Sequence, residues 1–299
     1  MFKRLIMSAS VLSLMLLPVG CTGGISEDEN NLSLAVSILP QRYFVERITG
    51  DSLNVFVVVP PGANPATYEP SPSDMRRMSN VDVWFTVGVP FETPWLPRFT
   101  GSSPDLNVKS TIENIVRLPI DRYTVTGYET LSESGGSPDP HVWLSPELVR
   151  SQAAVIADEL SLLDSSRADE YMANLESFNL EIDSLQNRIH ELIDSSSSRS
   201  FIVFHPAWGY FADEFGLVQI PIETAGSEPS PSEMALLVDY ARENGIRTVF
   251  VSPEFSTSSA EAIAAEIDAD VTYIDPLAED WNSNLHNVAE HLSGTEESD

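Results

Sequence analysis

The chain has 299 residues, of which 42% are hydrophobic, and its formal net charge is −29. That length allows two compact domains, the hydrophobic content favours packed cores over disorder, and the acidic balance argues against a nucleic-acid partner, because phosphate binding needs a basic face. The single cysteine, Cys21, excludes an intramolecular disulfide and a thiolate zinc cluster.

The amino terminus has the layout of an export signal. Lys3 and Arg4 precede an apolar run over residues 5–19, which is too short to span a membrane comfortably, and Gly20 supplies a small residue before Cys21. We expect residues 1–20 to be a signal peptide. Because the segment resembles a lipoprotein signal, we also expect the Cys21 sulfur to carry a lipid anchor; an ordinary free thiol is the alternative. The mature protein would then lie on the outer face of the cell membrane or in the periplasm.

Residues 21–31 are small, polar and acidic, which is typical of a flexible tether, and folded structure is predicted from Leu32. The next predicted elements are a buried strand over 33–39, a helix over 41–49, a strand over 52–59, a helix over 72–79 and a strand over 81–87. This alternation predicts a parallel sheet with helical crossovers.

An internal repeat suggests a second lobe of similar construction. Residues 69–75 read Glu-Pro-Ser-Pro-Ser-Asp-Met, and residues 228–234 read Glu-Pro-Ser-Pro-Ser-Glu-Met. Each copy has the signature of a helix start, with serine as the cap, proline in the first turn and an acid three positions after the cap. The distance between the copies predicts two similar α/β lobes.

A long helix is predicted over residues 165–195, between the two lobes. Its apolar residues recur in steps of four and three: Tyr171, Leu175, Phe178, Ile182, Leu185, Ile189 and Leu192. Roughly 30 helical residues extend about 45 Å. Pairing with a second chain as a coiled coil is one interpretation; we favour a stiff spine that lies across both lobes of a monomer.

Three residues are candidate metal ligands. His141 lies between prolines, His205 follows a predicted strand over 200–204, and Asp275 follows a β-rich run and precedes a proline. Ligands of open α/β sheets bind beyond the carboxyl ends of the strands. Two imidazoles and a carboxylate suit zinc, and also manganese or iron, although each histidine taken singly is more often structural.

The remaining histidines are interpreted as surface or packing residues. His190 falls within the long helix, and His286 and His291 are five apart on a terminal helix, which separates them by about 140°. The chain also lacks a phosphate-binding loop, a His-Glu-x-x-His motif and a Gly-x-Ser-x-Gly elbow.

Six stretches taken together resemble the zinc/manganese substrate-binding proteins of ABC transporters, in order from about Leu32 to His291. They are residues 61–74 (Pro-Gly-Ala-Asn-Pro-Ala-Thr-Tyr-Glu-Pro-Ser-Pro-Ser-Asp), 87–92 (Val-Gly-Val-Pro-Phe-Glu), 139–143 (Asp-Pro-His-Val-Trp), 204–210 (Phe-His-Pro-Ala-Trp-Gly-Tyr), 228–233 and 273–277 (Tyr-Ile-Asp-Pro-Leu).

The resemblance implies two α/β lobes with parallel sheets, joined by one long rigid helix, with the metal held in the cleft between them. It implies an amino lobe over 32–163, a linking helix over 164–196 and a carboxyl lobe over 197–293; an acidic tail follows over 294–299.

The resemblance also implies a ligand set. His141 would belong to the amino lobe, and His205 and Asp275 to the carboxyl lobe. The family's fourth ligand is a histidine at the position of Ala66, which leaves that place to water, to Glu69 or to nothing. Zinc members often carry a histidine-rich loop before the second ligand, but residues 119–138 here contain no histidine.

The function that these expectations favour is capture of a divalent transition metal ion, Zn²⁺ before Mn²⁺, for an ABC transporter permease in the membrane. A degenerate relative that binds another solute, or a surface adhesin, is the main alternative. An enzyme with a catalytic zinc is less favoured, because no general base accompanies the three ligands in their motifs.

Overall fold

The structure is a computed structural model. It describes residues 32–50, 53–120, 137–196, 198–223, 226–253, 255 and 257–294. The predicted signal peptide, the tether with Cys21, and the acidic tail beyond Gly294 lie outside these ranges, as do residues 121–136 of the histidine-free segment. No helix within the ranges is both long enough and apolar enough to cross a membrane.

The amino lobe is a four-stranded parallel sheet in the order β2-β1-β3-β4. Its elements are β1 (Ser33–Val36), α1 (Leu39–Thr49), β2 (Asn54–Val57), α2 (Pro72–Met78), β3 (Val83–Thr86), α3 (Glu92–Ser102) and β4 (Asn107–Ser110). The predicted helix start occurs at α2, where the Ser71 hydroxyl accepts a hydrogen bond from the backbone of Asp74 and the Asp74 carboxylate accepts one from the backbone of Ser71.

Two helices lead from the amino lobe to the carboxyl lobe: α4 (Pro146–Leu163) and α5 (Ala168–Ser195). The apolar stripe of α5 is buried as predicted from Tyr171 to Ile189, but at its end Ile193 is buried and Leu192 only partly so. Helix α5 contacts α1 and α4, and it also contacts α6 (Gly209–Phe215) and α9 (Trp281–Ser293). It therefore packs against both lobes.

The carboxyl lobe repeats the first architecture, with a four-stranded parallel sheet in the order β6-β5-β7-β8. Its other elements are β5 (Ser200–Val203), β6 (Val218–Pro221), α7 (Pro231–Glu243), β7 (Thr248–Val251), α8 (Ser258–Ile267) and β8 (Asp270–Tyr273). The predicted fold class, two similar α/β lobes joined by one long helix, is confirmed.

The strand order positions the cleft. In each sheet the order of the parallel strands reverses between the two central strands, β1 and β3 or β5 and β7. Open α/β sheets bind ligands beyond the carboxyl ends of such strands. Gly88 follows β3, while His205 and Phe255 follow β5 and β7. All three residues line one cavity, so the crevices of the two lobes open into a shared cleft.

Candidate metal centre

His141 is held by its own motif. It precedes a short 3-10 turn over Val142–Leu144, and its backbone N–H donates to the Asp139 carboxylate at 2.9 Å. The same Asp139 oxygen lies 2.7 Å from the imidazole Nδ1, and both side chains are buried. The Asp-Pro-His sequence thus folds back on itself and fixes the orientation of the ring.

His205 has a matching carboxylate from the neighbouring strand. The residue follows β5, and Glu223 follows β6, the strand paired with β5. The Glu223 carboxylate lies 2.6 Å from Nδ1 of His205 and is buried. The Phe255 ring stacks on the imidazole, with centroids 4.8 Å apart and planes 22° from parallel.

These contacts determine which nitrogen of each ring is free. A carboxylate only accepts hydrogen bonds, so the tautomer that satisfies both contacts has its proton on Nδ1 and a lone pair on Nε2. The two Nε2 atoms face each other at 3.4 Å. Two lone pairs cannot hydrogen bond to each other, so the pair suits a cation placed between them. A carboxylate behind each imidazole is the usual support of a metal-binding histidine.

The spacing of the nitrogens also fits one ion. If each of two nitrogens 3.4 Å apart lies about 2.1 Å from a shared ion, the angle at the ion is about 108°, close to the tetrahedral geometry that zinc prefers. The pair is therefore arranged for bidentate capture of a transition metal.

The two imidazoles open into a cavity of about 190 Å³. The described residues that line it are Asn64, Pro65, Ala66, Gly88, Val89, Pro90, Ile120, Ser137, Pro138, Pro140, His141, Trp143, His205, Phe255, Pro276 and Leu277. Ala66, the residue in the place of the family's fourth ligand, is thus on the cavity wall. Glu69 is exposed and is not among the lining residues.

Asp275 lies beside this cavity rather than in it. It follows β8, its carboxylate accepts a hydrogen bond from the Leu277 N–H at 2.7 Å, and burial raises the pKa of the carboxyl group. It lines a smaller cavity with the loop that contains Pro60, and Leu277 borders both cavities. Within the described part of the chain, no three His, Cys, Asp or Glu side chains are arranged to hold a metal together. The structure thus pairs His141 with His205, and Asp275 as a ligand stays a prediction.

The turn that carries His141 is bonded to the carboxyl lobe. The Trp143 indole N–H donates to the Pro276 carbonyl at 2.7 Å, and the Trp281 indole N–H donates to the Trp143 carbonyl at 2.6 Å. The Tyr210 hydroxyl donates to the Asp139 carbonyl at 3.0 Å. The Asp139 N–H also donates to the Leu118 carbonyl at 2.7 Å. His141 therefore comes from the amino-terminal half of the sequence, and its turn is bonded to residues of both halves.

Comparisons with known proteins agree with this geometry. The family model of ZnuA, the periplasmic component A of a zinc-uptake complex, matches residues 34–293. The manganese-binding lipoprotein MntA of Halalkalibacterium halodurans is 28% identical, covering 98% of this chain and 99% of its own.

Solved structures share the fold. A crystal structure of ZnuA aligns with a TM-score of 0.81 and 41% identity, over 89% of this chain and 99% of that one, and a zinc-bound deletion mutant of ZnuA aligns with the same score and identity over 90% and 100%. The laminin-binding protein Lmb of Streptococcus agalactiae, described as an adhesin with metal-transporting activity, aligns with a TM-score of 0.75 and 26% identity over 88% and 99%.

Proposed function

The chain belongs to the ZnuA family of zinc-uptake components, and we propose that it captures a divalent transition metal ion outside the cytoplasm for delivery to an ABC importer. The observation that carries the proposal is the pair of imidazoles, with Nε2 atoms 3.4 Å apart and a carboxylate behind each ring. Such a pair presents two nitrogen donors to one ion.

We favour Zn²⁺ as the cargo and place Mn²⁺ second. Two imidazole nitrogens at tetrahedral spacing suit zinc, whereas the harder manganese ion prefers more oxygen donors. Relatives named for manganese and for zinc both match this chain. Family membership alone therefore does not select the metal, and our preference rests on the donor atoms at the site.

We propose Asp275 as the third protein ligand. Its chain neighbours Pro276 and Leu277 already line the cavity of the two histidines. Among the described residues, the Asp275 carboxylate has one hydrogen-bond partner, the Leu277 N–H, so rotation of this side chain or a shift of the loop would free an oxygen for the metal. Four-coordinate zinc would then have one coordination position without a protein ligand, on the side of Ala66.

Attachment to the outer face of the membrane through Cys21 is part of the proposal. It rests on the signal-like amino terminus and on relatives that are described as periplasmic or as lipoproteins. A monomer held there by lipid could reach a permease in the same membrane. Cys21→Ser should release the protein from the membrane fraction, and unchanged retention would argue against the anchor.

Competitive titration with a zinc chelator tests the site. Substitution of a residue that hydrogen bonds to a metal ligand typically weakens binding about 10- to 100-fold. His141→Ala or His205→Ala should weaken zinc binding by more than that, because each removes one of the two facing donors. Asp275→Asn should weaken it if that carboxylate joins the ion. His190→Ala, which changes an exposed histidine on α5, serves as the matched control.

The titration has a clear contrary outcome. Wild-type zinc affinity in both His141→Ala and His205→Ala would show that the facing imidazoles do not hold the cargo. An equal loss in His190→Ala would point to general damage instead of a lost ligand.

A further inference from the structure

The cavity in front of the two imidazoles is much larger than a metal ion requires. Its volume of about 190 Å³ would hold about six water molecules, at roughly 30 Å³ each in the liquid. The cavity is lined mainly by apolar and aromatic groups, including Val89, Ile120, Trp143, Phe255 and Leu277. Besides the two histidines and the indole N–H that is bonded to Pro276, the described lining residues offer only Asn64 and Ser137 as polar side chains.

The protein supplies fewer donors than the ion needs. A tetrahedral zinc shell has four positions, and the facing imidazoles fill two of them. Asp275 would fill a third at most, and the methyl group of Ala66 on the cavity wall cannot coordinate. Water in the open positions would have to hydrogen bond to a largely apolar wall, which is unfavourable for water.

Carboxylates are already present around the site. Asp139 and Glu223 lie behind the two rings, and Asp275, in the adjoining cavity, would add a third carboxylate if it joined the ion. These acidic groups at least match the two positive charges of the ion, so an additional ligand does not need to be anionic. An uncharged donor would also tolerate the apolar wall best.

We propose that the cleft takes its metal ion as a complex with a small uncharged organic chelator. Two nitrogen atoms of the chelator complete the metal shell, which is four-coordinate with the two imidazoles alone and five-coordinate if Asp275 also binds. A planar apolar frame fills the cavity beside the Phe255 ring, which already stacks on His205, and beside Trp143, whose ring lies 5.2 Å from that of His141. The inference rests on the proposed function and specifies the form in which the cargo arrives.

Equilibrium dialysis with two bidentate amines separates this proposal from capture of the free ion. The probes are zinc alone, zinc with one equivalent of 2,2′-bipyridine, and zinc with one equivalent of ethylenediamine, which has two nitrogen donors but no apolar frame. We expect the protein to retain zinc and bipyridine in equal amounts. At equal free zinc, its affinity for zinc should be about tenfold higher with bipyridine than with ethylenediamine, a difference of about 1.4 kcal/mol.

Two substitutions at Ala66 sharpen the test. Ala66→Leu fills the cavity without adding a donor and should lower bipyridine retention about tenfold. Ala66→His fills it and also supplies the missing imidazole, so it should exclude bipyridine while tightening the binding of zinc alone. The leucine variant is the control for bulk in the histidine variant.

The outcomes distinguish failure of the chelate proposal from failure of metal capture. Zinc retained by the wild type with bipyridine left free would overturn the chelate proposal and leave metal capture standing. Retention of neither zinc nor its bipyridine complex would contradict metal capture itself. Retention of bipyridine without zinc would show an apolar pocket that does not depend on the metal, and would also overturn the proposal.

Discussion

At the scale of single residues, the site depends on two carboxylates as much as on two imidazoles. Asp139 and Glu223 each hold Nδ1 of one ring within 2.7 Å, and so direct both Nε2 lone pairs to one point. Sequence reasoning identified His141 and His205 from their neighbouring prolines and from a strand end, but it did not identify these two carboxylates. Asp139 had a local signal, since it lies two residues before His141. Glu223 had none without the pairing of β5 with β6.

We expect neutralisation of either carboxylate to weaken metal binding without removing a ligand. Asp139→Asn or Glu223→Gln keeps the side-chain size, but the amide can turn its N–H₂ toward Nδ1, which then accepts and leaves Nε2 protonated. Losses of about 10- to 100-fold in zinc affinity are typical of such changes. Chelator competition would measure them against Asp158→Asn, a change at an exposed carboxylate on α4. Wild-type affinity in both variants would contradict this role.

A third buried carboxylate, Glu92, acts on stability. Glu92 accepts hydrogen bonds from the Ser37 hydroxyl and from the backbone N–H groups of Val87 and Gly88, and so supports the loop on the amino-lobe side of the cavity. Burial raises the pKa of Glu92 to about 7, and these hydrogen bonds only partly oppose the shift.

The raised pKa predicts a particular pH dependence. Because the folded protein binds this proton more tightly than the unfolded chain does, the stabilisation is complete at low pH and is lost as the pH rises from about 4.5 through about 7. The free energy of unfolding of the wild type, relative to Glu92→Gln, should fall by about 3 kcal/mol across that window. Urea denaturation at several pH values would measure it. A difference that stays constant with pH, or that grows, would contradict the shift.

At the scale of elements, periodicity predicted the long helix better than its ends. The apolar stripe correctly indicated one continuous helix, but α5 begins at Ala168 rather than residue 165. The Asp164 side chain accepts hydrogen bonds from the N–H and hydroxyl of Ser166, and this turn separates α4 from α5. Leu192 was expected at the end of the stripe, where Ile193 is buried instead.

The buried face of α5 makes a direct prediction about stability. The Phe178 ring packs against those of Phe44 and Trp281, with centroids 6.2 and 6.3 Å away. Phe178→Ala should lower the free energy of unfolding by about 3 to 5 kcal/mol. Leu180→Ala, two residues on and 65% exposed, should change it by less than about 0.5 kcal/mol. Denaturant titration of both variants would decide, and similar losses would mean that α5 is not buried along this face.

At the scale of the whole molecule, the sequence predicted the architecture more fully than the site. Two repeated helix starts and one apolar stripe were enough to place two lobes and a spine, because hydrophobic patterning determines how elements pack. Side-chain convergence between distant segments leaves no such pattern. Asp275 was expected with the histidines but lies in the adjoining cavity, behind Leu277.

The arrangement of the lobes also bears on how the cargo is held. The turn of His141 is bonded on both sides, to Leu118 and Gln152 of the amino-terminal half and, through Trp143, to Pro276 and Trp281 of the carboxyl-terminal half. The opposite wall, with Ala66 and Gly88, belongs to the amino lobe. Residues from both halves of the sequence therefore enclose the metal pair.

The most direct test of the account is anomalous X-ray diffraction, at the zinc absorption edge, from crystals of the protein grown with zinc and without a metal-binding tag. We predict one strong peak in the cleft, about 2.1 Å from Nε2 of both His141 and His205. A zinc peak elsewhere in the molecule, with both imidazoles free of metal, would contradict it.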